Sequence, residues 1–135
     1  MQFPIIVVIA LHVMAATFWA GSTFALARLG GAGAGPLFRP QMGAATVAII
    51  TGGLLWWFLH GGLSGAPEWV LGAGAFAALA AVAVQAAVIG PVHGRLDRGE
   101  GQGMSGASPR VAIGHRVAAG LLAVTALTMA IARFV

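Results

Sequence analysis

Residues 69–94 read WVLGAGAFAALAAVAVQAAVIGPVHG, without one charged side chain. A membrane-spanning helix needs about 20 predominantly apolar residues, and this run supplies them. Its flanks are helix punctuation. Pro67 precedes it, at a first turn that loses nothing by lacking an N–H, and Gly90-Pro91 closes it. Outward from this segment the pattern repeats. Residues 1–27 and 40–67 carry no charge, and neither do residues 117–132, between Arg116 and Arg133. The expected architecture is an all-α integral membrane protein, a four-transmembrane-helix bundle forming one membrane domain over 1–135. The expected helices run over about 3–28, 41–60, 68–90 and 109–134. Pro40 and Pro109 are placed at helix starts like Pro67, with Ser108 as an N-cap. The glycines at 30, 31, 33 and 35 end the first helix, and Gly61-Gly62 end the second. The loop 94–108, rich in Gly and Ser, is expected to be mobile.

Composition agrees. The chain has 135 residues, of which 59% are hydrophobic and 7% charged, against about a quarter charged in a soluble domain. Disorder needs the opposite balance. The absence of Cys removes disulfides, thiol nucleophiles and thiolate metal sites. All 7 cations are Arg, which removes lysine Schiff-base chemistry. The N-terminal segment lacks a basic leader and its apolar run is too long for a signal peptide, so it reads as a retained helix. No nucleic-acid partner is expected; the lipid bilayer is.

Arginine placement gives an orientation. Arg28 and Arg39 flank the first connection, and Arg95, Arg98 and Arg110 the third, with Arg116 just inside the last helix. The second connection carries only Glu68. Cytoplasmic loops hold the excess of Arg and Lys. Both termini are therefore expected on the outer, periplasmic side of a bacterial inner membrane.

Small residues let helices approach closely where lipid gives no hydrophobic drive. Gly72, Gly74, Ala78 and Ala81 on the third helix, with Gly114, Ala118 and Ala119 on the fourth, form such faces. They serve packing within the bundle or an interface with a second copy or a larger membrane complex. Trp56, Trp57 and Trp69 fall at the outer ends of helices, where indoles anchor.

Polar groups inside a bilayer are costly, so each is a functional candidate. The candidates are His12, Thr17, Ser22, Thr23, Thr46, Thr51, Gln85, His115, Arg116, Thr125 and Thr128. No Asp or Glu lies within a span, which argues against a carboxylate proton relay and a hard-cation site. His12 stands out. It lies roughly 13 Å below the outer surface at the helical rise, and Ala16, Trp19 and Thr23 share its face. A small residue one turn on leaves room for a flat ring, and imidazole ligates haem iron. The alternative is a histidine bonded to a neighbouring helix through Gln85 or a Thr. His115 is a candidate second ligand, or with Arg116 a grip on an anionic group, but the rise places it about 15 Å from the depth of His12. Met129 shares the face of His115 and lies nearer His12 in depth, so a His–Met pair is conceivable. It also serves as ordinary packing. His60 and His93 sit at span ends, and His93 joins His115 and the arginines in a basic patch suited to anionic lipid or haem propionates.

Leu11-His12, Trp19-x-Gly21 and Arg28-Leu29 together resemble the first helix of small four-helix bacterial membrane proteins. These are the HemJ-type protoporphyrinogen oxidases and the CopD-like copper-resistance proteins. The chain departs from the HemJ type in having no intramembrane Lys, Ala27 before Arg28, and Gly114-His115-Arg116 opening the last helix. The resemblance implies haem b or porphyrin at His12, for electron transfer or porphyrin oxidation with a quinone or porphyrin partner. In the CopD direction it implies copper handling. Three functions are thus expected in competition: a haem-dependent redox protein using His12 with His115, Met129 or a second protomer, and Arg116 near the propionates; a non-catalytic subunit of a larger complex; and copper or small-molecule transport.

Overall fold

The computed structural model describes residues 2–60, 65–100 and 108–135. It is all-helical in these residues. Helix α1 spans Gln2–Arg28, α2 Ala34–Leu59, α3 Ala66–Val88, the short α4 Gly90–Asp97, and α5 Pro109–Ile131, extended by a 3-10 turn at Ala132–Phe134. Four of the helical segments are long and apolar enough to cross a membrane, α3 being continued by α4.

Three helix starts follow from local chemistry. Ser108 caps α5 by accepting a 3.2 Å hydrogen bond from the Val111 N–H, with Pro109 in the first turn. Pro67 and Glu68 occupy the first turn of α3, the Glu complementing the positive end of the helix dipole. The turn into α2 runs through Gly30, Gly31 and Gly33, all with positive φ. At Gly31 (φ +85°) a Cβ would also stand 2.9 Å from Val111 Cγ1, so this turn packs directly on the start of α5.

Two boundaries differ from the sequence-based expectation. Helix α2 begins at Ala34, and Pro40 lies inside it. Pro40 is in the second turn, so the bond it cannot donate is the one to Pro36, at the helix start. The proline there is exposed. The second difference is that Gly90-Pro91 ends α3 and at once opens α4, since Pro is accepted in a first turn. Residues 94–97 of the expected mobile loop are therefore helical; residues 101–107 of it, and Gly61-Gly62, lie outside the described residues.

The helices pack as two hairpins, α1 with α2 and α3 with α5, joined along α1 and α5, while α2 and α3 barely touch. The interior is made of small residues. Ala45, Ala48, Ala78, Ala81 and Ala118 surround Trp19 and Leu122. Nearer the arginine-rich end, Leu26, Ala34, Ile89 and Val111 form a second cluster. Bulky apolar side chains such as Phe3, Met14, Ile50, Phe76 and Leu127 point outward. That inversion suits a lipid surround. The close approach of α3 to α5 rests on Gly74 and Gly114: a Cβ on Gly74 would collide with Thr128, and one on Gly114 would meet Val88 at 3.0 Å.

Candidate functional site: a cavity walled by His12

The weak α2–α3 seam has a consequence in the half of the bundle away from the arginines. A cavity of about 810 Å³ opens there, lined by residues of all four spanning helices. Ligand sites for drug-sized molecules run from about 300 to 1,000 Å³ and are mainly apolar. Here the walls are Ala16, Ala20, Ile49, Leu71, Ala75 and Leu122 among others, and the few polar groups include His12, Thr17, His60 and Thr125. Trp56 also lines it, and comes within 3.8 Å of where a Gly72 Cβ would stand, so its ring bridges the α2–α3 seam.

His12 is held in a definite orientation. Its Nδ1 lies 2.9 Å from the Ala48 carbonyl oxygen and 3.1 Å from Thr51 Oγ1. A carbonyl only accepts, and the Thr51 hydroxyl already donates to the Val47 carbonyl at 2.6 Å. The Nδ1 must therefore carry the hydrogen, and in the neutral ring Nε2 holds the lone pair. Among the described residues Nε2 makes no hydrogen bond. A His tied to a backbone carbonyl through one nitrogen and open at the other is the arrangement that metal-ligating histidines use. Space for the ring comes from Gly52, where a Cβ would stand 3.1 Å from His12 Cε1. The expected bond to a threonine on a neighbouring helix is present, and His12 also lines the cavity.

Met129 lines the same cavity. His115 and Arg116 do not. His115 has no solvent exposure and is absent from the walls, and Arg116 is exposed. So the structure brings His12 and Met129 together and leaves His115 and Arg116 apart from them. His60, expected only at a span end, is part of the wall and lies against Trp56, the rings tilted by 40° with centroids 5.8 Å apart. Among the described residues no three His, Asp or Glu side chains converge as a metal site. The opposite end of the bundle holds the expected arginines. There Arg39 pairs with Asp97 at 2.8 Å, and His93 lies 3.5 Å from the same carboxylate and stacks on Phe38.

A second polar assembly lies between the two apolar clusters. Trp19 Nε1 donates to Gln85 Oε1 at 2.7 Å, and Gln85 Nε2 donates to Thr23 Oγ1 at 2.9 Å. Gln41 Nε2 donates to Ser22 Oγ at 3.0 Å and to Thr23 Oγ1 at 3.3 Å. Gln41 was not legible as an intramembrane residue, because a helix starting at Pro40 puts it at the interface. The glycine-rich turn ahead of Ala34 was the available signal for the longer helix.

No family model matches the chain, and no curated protein or solved structure matches it either.

Proposed function

We propose that the chain binds haem b, or a closely related porphyrin, in the outer cavity, where His12 would hold the iron. The observation that carries this reading is His12 on the wall of an apolar cavity of about 810 Å³, its ring oriented by the Ala48 carbonyl. The resemblance of helix 1 to HemJ-type and CopD-like proteins, which rests on the same His12, is in keeping with it. When bound, haem supplies one-electron redox chemistry whose potential its axial ligands tune. The chain's own residues do the rest. Ala48 and Thr51 hold the imidazole in one tautomer, and Gly52 makes room for it. Met129, on the wall of the same cavity, would be a second residue able to hold the iron. No arginine lines the cavity, and at that end of the bundle Arg133 is the only cation among the described residues. The two propionates would thus be met mainly by water at the outer boundary, and Arg116 takes no part in holding them.

The setting of this reading is a bacterial inner membrane, with the arginine-rich end in the cytoplasm and both termini outside, as the distribution of Arg favours. The electron partner would then be a lipid-soluble quinone or a porphyrin substrate.

The test is a visible spectrum of protein purified in detergent from cells with ample haem supply, oxidised and then dithionite-reduced, beside His12→Ala. A Soret band with sharp reduced bands, lost in the variant, is expected. A colourless wild-type protein overturns the reading and leaves a non-catalytic subunit as the better description.

A further inference from the structure

Two apolar clusters of the bundle each draw on every spanning helix. Trp19, Ala45, Ala81 and Ala118 belong to one, and Leu26, Ala34, Ile89 and Val111 form the other. Between them the helical register leaves one position per helix: Thr23, Gln41, Gln85 and His115. Each lies three, four or seven residues from its neighbours in the flanking layers, the spacing that keeps residues on one helix face. All four are polar, and all four have no solvent exposure.

The chain satisfies only part of this layer. Thr23 accepts from both glutamine amides and donates to the Trp19 carbonyl at 2.7 Å. Gln85 accepts from Trp19. Three buried atoms of the layer remain without a partner: Gln41 Oε1, His115 Nδ1 and His115 Nε2. A buried polar group with no hydrogen bond costs on the order of 1–3 kcal/mol by protein mutational data. Three such atoms at one level are a requirement for something that hydrogen-bonds. Gln41 Oε1 takes only donors, while a neutral imidazole offers one donor and needs one. Water supplies both roles, and buried water commonly makes about three bonds to such groups. An anion has no cation facing it here, since Arg116 is exposed. A metal ion would find too few ligands.

We propose that this layer holds internal water, with at least one molecule shared between Gln41 Oε1 and the His115 imidazole. The site is separate from the His12 cavity and does not depend on haem. Trp19 borders both, lining the cavity while its N–H lies in the hydrated layer.

The experiment combines a double-mutant cycle with radiolytic hydroxyl labelling. Unfolding equilibria in mixed micelles are compared for Gln41→Leu, His115→Leu and the double variant. A shared water makes the double variant about tenfold more stable than the product of the single effects. Labelling of the wild-type protein keeps the proposal testable if a variant does not fold: His115 is expected to gain oxygen despite its zero exposure, alongside Trp69 at the outer end. Independent single effects overturn the proposal. So does an unmodified His115 beside a modified Trp69. Coupling without labelling of His115 indicates a direct Gln41–His115 bond and overturns it as well.

Discussion

A Cβ on Gly52 would stand 3.1 Å from Cε1 of His12, so the imidazole occupies space that a glycine on the facing helix leaves open. Two methyl groups there push the ring off the Ala48 carbonyl, and with it the orientation of Nε2. Loss of such an orienting partner costs about 10–100-fold in metal affinity. Gly52→Val is therefore expected to weaken haem binding by that factor with unchanged helix content, read from a haem titration and circular dichroism; unchanged affinity would mean that Gly52 does not set the ring. Gly31 makes a second single-residue prediction. Its φ of +85° and the 2.9 Å approach to Val111 Cγ1 act together. Gly31→Ala should destabilise the bundle by about 2 kcal/mol, measured by unfolding in mixed micelles. His12 was legible in the sequence because a lone imidazole deep in an apolar helix has few explanations. Its partners Ala48 and Thr51 and the glycine that admits it were not, since they come from another helix and depend on its rotation.

At the scale of elements, the α3–α5 seam is the tightest in the bundle, and two effects compete to explain it. Thr125 Oγ1 has one hydrogen to share between the Gly74 carbonyl across the seam and the Leu121 carbonyl of its own helix, both at 3.0 Å. Interhelical hydrogen bonds in membranes average about 0.6 kcal/mol, whereas forcing bulk into a packed contact costs about 1–3 kcal/mol. Close packing should win. Gly74→Leu is expected to cost more than Thr125→Val when both are unfolded in mixed micelles; the reverse order would mean that the hydrogen bond holds the seam more than the packing does. The small faces of these helices could be read from spacing alone, as could the Ser108 cap. The start of α2 could not, because Pro40 is equally acceptable in a first turn and in an exposed second turn. That ambiguity of one helix turn or so hid Gln41, and with it a quarter of the buried polar layer.

Over the whole molecule, the cavity and the buried polar layer lie at different depths of the bundle. The cavity lies at the end of the bundle away from Arg28, Arg39, Arg95, Arg98 and Arg110, and the buried polar layer lies between the cavity and those arginines. The depth difference between His12 and His115 was readable from the helical rise, and the structure indeed leaves His115 off the cavity wall. The cavity itself was not readable, since it arises from the sparse contact of α2 with α3 and no local pattern encodes a missing contact. The orientation has a clean test because the chain contains no Cys. With an impermeant thiol reagent applied outside intact cells, Val135→Cys should react and Arg98→Cys should not; the opposite pattern would invert the bundle. The binding reading is tested most directly by spectral titration of haem b into the detergent-purified apoprotein and its His12→Ala variant. Saturation at one haem per chain by the wild type, with a six-coordinate low-spin spectrum absent from the variant, is the predicted result. Equal, unsaturating binding by both proteins would contradict it.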